Sequence, residues 1–380
     1  MVLSLLCLLP SLASALPRFA ARVGAPCSLC HVDPSGGGMR TDYARNVWEL
    51  AELPFAGLER PERAPAMDAK VTDAVTLGAD LRLMFQDLRQ DRPELAMPPL
   101  SHFFLMESAL YVAANLWQGV TLYLAPSFYG ADNLMYEAMA IVQLPWQGSY
   151  IKLGRFLPAF GLRTANHSVF TRKQSGWGIK SKEVGVEAGF ELGPLLLQAS
   201  AFNGVESDSD FDDNTAKGLA ARLSYRLRTR PFKLNAGLSA YYNLRGNPAV
   251  DEAPDSRRQD VRLGAFGGLS VGRVTWTGDL VLRTTDDRGK PANEGLLSSY
   301  ASMQELSVLA MDGVDLLATY EFLDDNTEAK GNAVTRIGLG FDIYPWPFTE
   351  LGFRYRLIRA DPAHLMSGIS EFIVVAHAFF

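Results

Sequence analysis

Glu350-Leu351-Gly352-Phe353-Arg354-Tyr355-Arg356-Leu357 alternates without a break: leucine and aromatic side chains at 351, 353, 355 and 357, charged residues or glycine between them. Successive side chains of an extended chain point to opposite faces, so this stretch makes one apolar and one polar face, the period of a strand and not of a helix. Upstream the pattern recurs. Leu234, Ala236, Leu238, Ala240 and Tyr242 oppose Lys233, Asn235, Gly237, Ser239, Tyr241 and Asn243, and Ala221, Leu223, Tyr225 and Leu227 oppose Arg222, Ser224, Arg226 and Arg228. Extending the reading in both directions predicts sixteen strands, at 76–87, 102–114, 119–129, 133–144, 149–157, 183–193, 195–203, 217–228, 232–243, 259–271, 274–284, 298–311, 314–322, 333–343, 348–358 and 370–380.

A soluble sandwich also alternates, so loop lengths carry the distinction. Connections after even strands are tight, as at Pro145-Trp146-Gln147-Gly148, Leu192-Gly193-Pro194 and Pro345-Trp346-Pro347, whereas most of those after odd strands are long and polar. The connection around 130–133 is the exception. An even strand number with alternating short and long connections is the pattern of an outer-membrane barrel, short turns facing the periplasm. Strands near ten residues match a tilted crossing of the hydrocarbon layer. The last residues, Glu371 to Phe380, alternate and end on an aromatic, resembling the closing strand that the barrel-assembly machinery reads. Residues 69–380 are therefore expected to form an all-β, transmembrane antiparallel barrel of about sixteen strands in contact with outer-membrane lipid.

Composition agrees. The chain holds 380 residues, 36 basic and 42 acidic side chains, 48% hydrophobic residues and three cysteines. Mean hydropathy near zero is too apolar for disorder, and the long uncharged apolar run is confined to the N-terminus, which excludes a helical membrane protein. The slight acidic excess argues against a nucleic-acid partner. Three cysteines cannot staple a body of this length. Residues 2–16 are a short apolar run closing on Ala13-Ser14-Ala15, the small-x-small spacing of a signal peptidase site, although no Lys or Arg precedes the run. Residues 1–15 are read as an export signal, too short to span a bilayer, and Cys7 leaves with it.

The two remaining cysteines both lie in Cys27-Ser28-Leu29-Cys30-His31. This is the attachment pattern of haem c: two thiols three positions apart add to the two vinyl groups of one porphyrin, and the following histidine turns onto the iron. The alternatives are less suited. A redox pair wants a βαβ setting that Val32-Asp-Pro-Ser-Gly-Gly-Gly-Met39 does not offer, and a structural zinc needs a fourth ligand, while an inert disulfide stays open. Residues 16–68 are thus expected to be a monohaem cytochrome c segment carrying one covalent haem, with His31 as proximal ligand. Met39 and Met67 are local candidates for the distal position, and His167 is a candidate from the rest of the chain, with His102 and His364 behind it. The segment holds one predicted helix, Thr41–Leu53, and is too small to enclose a haem and also bury a core. It must borrow walls. Gly36, Gly37 and Gly38 allow sharp or closely approaching backbone there, or simply a flexible turn.

With the aliphatic face outward, the lumen receives charges of both signs, among them Asp80, Arg82, Glu107, Lys152, Arg222, Arg262, Asp342 and Arg356, expected to pair with one another or hold haem propionates. The longest loop, Pro158–Lys182, carries Arg163, His167 and Arg172 and is a candidate to fold inward. The acidic loop Glu206–Asp213 lacks the spacing of a calcium loop and reads as solvated. No Ser/His/Asp grouping, phosphate loop or paired carboxylates emerge, so the chain reads as an electron-transfer protein rather than a conventional enzyme.

In layout, with an export signal, then Cys27-Ser-Leu-Cys30-His31, then a barrel ending on Phe380, the chain resembles the fused outer-membrane cytochrome–porins of iron-oxidising bacteria. A haem segment too small to bury its own core is expected to plug or cap the lumen, periplasmic or within the barrel, which supplies the missing walls. The resemblance implies electron transfer across the outer membrane between an extracellular donor or acceptor, ferrous iron among them, and a periplasmic carrier such as a soluble cytochrome. Two alternatives remain from the residues: a porin for passive solute diffusion, and a scaffold barrel that docks separate cytochromes.

Overall fold

The computed structural model describes residues 17–55, 69–91, 99–129, 133–174, 181–205, 211–212, 214–245, 258–286 and 295–380. The export signal, Met67 and most of the acidic loop lie outside them. The strands are β1 (Val75–Gln90), β2 (Leu100–Trp117), β3 (Val120–Tyr129), β4 (Asn133–Gln143), β5 (Tyr150–Phe156), β6 (Glu183–Leu192), β7 (Leu195–Phe202) and β8 (Gly218–Arg228). They continue as β9 (Phe232–Arg245), β10 (Arg258–Val271), β11 (Val274–Asp286), β12 (Leu296–Met311), β13 (Val314–Asp324), β14 (Val334–Ile343), β15 (Thr349–Ala360) and β16 (Ile369–Phe379). Each pairs antiparallel with its sequence neighbours, and β16 returns to β1 with Asp80 opposite Phe379 and Gln90 opposite Ile369. Closure leaves no unpaired edge, which is the requirement a hydrocarbon layer imposes on strands.

Alternation sorts the side chains as the sequence predicts. Leu110, Leu238, Leu263 and Leu339 stand on the outer face and are at least half exposed, while Lys152, Glu187, Gln198, Asp260 and Asp342 on the inner face are fully buried. A predominantly apolar exterior of this extent marks a surface made for lipid. The inner charges pair. Arg82 reaches Asp80 and Glu107 at 3.0 and 2.9 Å, Arg336 reaches Glu321 at 2.6 Å and Arg356 reaches Glu371 at 3.2 Å. One departure from simple alternation occurs in β2, where the register with β1 slips between Arg82 and Leu83. The slip is a bulge at Met106, and it turns both Met106 and Glu107 inward.

Residues 17–55 pack on inward-facing side chains. A helix, α1 (Pro17–Val23), lies against β9, β10 and β11. Its Arg18 pairs with Asp342 and, at 3.4 Å, with Glu305, and its Arg22 pairs with Asp315. The helix expected over Thr41–Leu53 is present as Ala44–Glu52, but wound as a π-helix: the Leu53 N–H bonds to Trp48 O at 2.9 Å. The wider turn lets Ala44, Trp48 and Leu53 all join one cluster with Phe19, Val23, Cys30, Tyr344 and Phe379. Here the segment takes walls from the barrel, since Tyr344 and Phe379 belong to β14's end and β16.

The loop after β5 folds inward, as its length and charge suggest. Ala159 N–H bonds to Glu187 at 3.0 Å, Gly161 N–H to Ser239 at 3.2 Å and Phe170 N–H to Glu321 at 2.9 Å. The loop therefore crosses from β6 to β13, ending in a short helix, α2 (Phe170–Gln174).

Candidate functional site

Between residues 17–55 and the inward loop lies a cavity of about 270 Å³. Its walls include His31, Gly37, Gly38, Arg40, Trp48 and Glu49 from the N-terminal segment, Arg163, His167 and Arg172 from the loop, and Asp80, Arg82, Met84, Met106, Glu107, Met303 and His377 from the strands.

The motif enters from a tight turn. Cys27–Leu29 forms one 3₁₀ turn, and the N–H groups of Cys30 and His31 both bond to Cys27 O, at 3.1 and 2.9 Å. Cys27 and Cys30 are free thiols, so the disulfide alternative is not realised in this structure. Cys27 is half-buried. Cys30 is buried among Phe19, Trp48 and Phe379, and that burial, with Glu49 nearby, pushes its thiol up to about 12. Phe19, Trp48 and Phe379, which pack around Cys30, line the cavity with His31, whereas Cys27 and Cys30 themselves are not among its lining residues.

His31 pairs with Arg40 in an isolated bridge, and its Nδ1 lies 3.3 Å from Gly38 O. A carbonyl only accepts, so Nδ1 carries the proton and Nε2 is the nitrogen suited to a metal. This is the bracing usual for metal-bound imidazole. The glycine turn makes it reachable. Gly36, Gly37 and Gly38 all adopt positive φ, and a Cβ would lie 3.1 Å from Cys27 at Gly36, 2.6 Å from Arg163 at Gly37 and 2.3 Å from the Tyr123 hydroxyl at Gly38. The three glycines therefore serve close approach, and the flexible-turn reading is set aside.

Ionic contacts that the sequence alone does not show anchor the residues just after His31. Asp33 is fully buried, bonded to Lys152 at 3.1 Å and Arg163 at 2.8 Å. Ser35 Oγ donates to Glu187 at 2.8 Å, and Lys152 Nζ lies 2.7 Å from the same carboxylate. Burial opposes ionisation of Asp33, but Lys152 and Arg163 outweigh it and hold its carboxyl below the usual range. Lys152 was legible as an inward residue; that it meets Asp33, 119 positions away, was not.

Of the distal candidates, Met39 is fully buried among Tyr111, Tyr123 and Phe156, with its N–H bonded to Tyr123 at 3.1 Å, and it is not among the cavity's lining residues. Met67 lies outside the described residues. His167 lines the same cavity as His31; burial, then Arg172 and Arg82, push its imidazole down to about 2, so it is neutral. His102 stacks on Phe104 at 5.1 Å and His364 sits in the β15–β16 connection, neither on the cavity. Met84, Met106 and Met303 reach it without having been singled out in the sequence, Met106 because of the bulge.

No family model and no curated protein matches the chain. Among solved structures it is similar to an anion-selective porin from Comamonas acidovorans, at 11% identity and TM-score 0.58 over 81% of this chain and 99% of that one. It is similar also to OmpT of Vibrio cholerae, at 14% identity and TM-score 0.57 over 82% of this chain and 100% of that one. At such identities the likeness carries the fold: the chain is a porin-like barrel of the outer-membrane type. These neighbours are outer-membrane barrels and not cytochrome–porin fusions.

Proposed function

We propose that the chain is an outer-membrane barrel whose residues 17–55 form a resident plug, and that Cys27, Cys30 and His31 tether one haem c in the cavity between plug and inward loop. The reading makes the protein an electron conduit between an extracellular partner, ferrous iron being one, and a periplasmic carrier such as a soluble cytochrome. The observation that carries it is His31 lining that cavity with Nδ1 braced on Gly38 O.

The residues suit the group. A haem bound there would supply one-electron exchange from a position sheltered by the barrel. Phe19, Trp48 and Phe379 give an apolar wall, and the polar side holds Arg172 together with Arg40, Arg82 and Arg163, which are paired with Glu49, with Asp80 and Glu107, and with Asp33 and Glu137. The ion pairs of Arg18 and Arg22 hold the segment at the end of the barrel that carries the short turns, the side on which a periplasmic carrier docks.

The second reading is a porin for solute diffusion, favoured by the likeness to an anion-selective porin. A pyridine haemochrome spectrum of the full chain, produced with the c-type maturation apparatus, separates the two. Covalent haem that is lost in Cys27→Ala and Cys30→Ala supports the conduit; a colourless protein that conducts ions supports the porin. Electron transfer into liposomes holding the purified barrel alone argues against a scaffold role for it.

A further inference from the structure

We infer that the plug, residues 17–55, and the inward loop form one latched unit across the lumen, so that loosening either one loosens the other. The coupling goes beyond the haem reading and does not depend on it. Two buried carboxylates carry it, one from the plug and one from the wall. Asp33 of the plug accepts from Lys152 on β5 at 3.1 Å and from Arg163 of the loop at 2.8 Å. Glu187 on β6 accepts from Ser35 Oγ of the plug at 2.8 Å through Oε1 and from Ala159 N–H of the loop at 3.0 Å through Oε2. Lys152 Nζ stands 2.7 Å from Glu187 and donates to Ser35 Oγ at 2.8 Å, which closes the two sets into a single network.

Asp33, Ser35, Lys152 and Glu187 are all buried, so a partner withdrawn on one side leaves the other side uncompensated in a low-dielectric interior. The fit is close as well as ionic. Gly37 has φ +78°, and a Cβ there would lie 2.6 Å from Arg163 Nε, so the loop's guanidinium rests directly on the plug's glycine turn. The far half of the loop is held on the opposite wall, where Ser168 O accepts from Arg336 at 2.7 Å and Phe170 N–H donates to Glu321 at 2.9 Å. The near half, Ala159 to Arg163, is the part that shares its partners with the plug. The loop follows an odd strand and enters from the long-loop end, whereas Arg18 and Arg22 fasten the plug at the short-turn end. The latch therefore couples the two mouths of the barrel, and such coupling is reciprocal: each element biases the other by the same factor.

The test is limited proteolysis of the full chain in detergent, trypsin cutting after Arg45 reporting release of the plug and cutting after Arg172 reporting release of the loop. When reclosing is faster than cutting, each rate follows the opening equilibrium. Asp33→Asn, a plug variant, should speed cutting at Arg172, and Arg163→Gln, a loop variant, should speed cutting at Arg45, each at least about fivefold. The double variant should exceed either single by less than the product of their factors. Ser35→Ala, which removes a hydroxyl and no charge, should act at Arg172 in the same direction and serves where Asp33→Asn does not fold. Glu191→Gln, which breaks a wall pair with Arg226 between β6 and β8, should change neither rate. Heat-modifiable migration in gels checks that each variant keeps its barrel. Folded plug variants in which Arg45 is freed while Arg172 is cut at the wild-type rate overturn the inference. A rise at Arg172 without the reciprocal rise at Arg45 in Arg163→Gln means simple unblocking of the lumen and overturns it too.

Discussion

The thiols of Cys27 and Cys30 stand three positions apart in different surroundings. Cys30 is 1% exposed and its pKa is pushed up to about 12, so at neutral pH it is an inert, protonated thiol, whereas Cys27 is half-buried. In chain produced without haem, iodoacetamide should label Cys27 at least tenfold faster than Cys30, read by peptide mass spectrometry; equal rates would contradict the burial. Gly38 is the second residue whose role can be isolated. An added Cβ at φ +66° meets the Tyr123 hydroxyl at 2.3 Å and displaces the carbonyl that braces His31. Gly38→Ala should cost about 1–3 kcal/mol in seating the segment and lower the haem incorporated per barrel, while Gly193→Ala, at a turn with open space around it, should leave haem content unchanged. At this scale the Cys-x-x-Cys-His spacing was fully legible. The surroundings of Cys30 were not, because Phe19, Tyr344 and Phe379 come from both ends of the chain.

At the scale of elements, alternation carried nearly everything, since a half-buried strand has no other way to sort its side chains. Every strand read from period two is present, and the tight turns after even strands are where they were expected. The short helices α1 and α2 were not read from the sequence, and two local distortions escaped as well. The bulge at Met106 breaks the period by one residue inside an otherwise regular strand, and the π-helix Ala44–Glu52 has the composition of an ordinary amphipathic helix. Both local distortions answer to partners far away in sequence, Arg82 opposite Glu107 and Tyr344 against Trp48's cluster. The turn Asp33–Ser35 is likewise an element defined by its seat. Lys152→Met should leave Glu187 without its cation and Asp33 with Arg163 alone, a loss on the order of 3–5 kcal/mol for a buried pair broken on one side. Trypsin should then cut at Arg40 or Arg45 in folded barrels much faster than in wild type, while the barrel itself keeps its heat-modifiable migration. Unchanged cleavage would mean that β5 does not hold the segment.

For the whole molecule, closure into a barrel follows from an even strand number and the loop rhythm, but the seating of residues 17–55 rests on pairs such as Arg18 with Asp342, 324 positions apart, which no local pattern encodes. That seating should depend on pH through Glu49. Burial outweighs the pull of Arg40, Arg45 and His377 and pushes its carboxyl from 4.5 up to about 7. The seated state therefore binds the proton more tightly than a released segment does, and between those two values it holds protons that the released state has lost. The contribution is fully present below pH 4.5 and disappears as pH rises through about 7, a span worth roughly 3 kcal/mol at about 1.4 kcal/mol per unit. Single barrels in planar bilayers should accordingly show small conductance at about pH 4.5 and more frequent large-conductance openings as pH approaches 7. A chain lacking residues 17–55 should stay open throughout. Glu49→Gln, which keeps a neutral side chain of the same shape beside Arg40, should make the opening frequency flat across that window. An identical rise in wild type and Glu49→Gln would assign the pH response to the lumen charges and not to the segment.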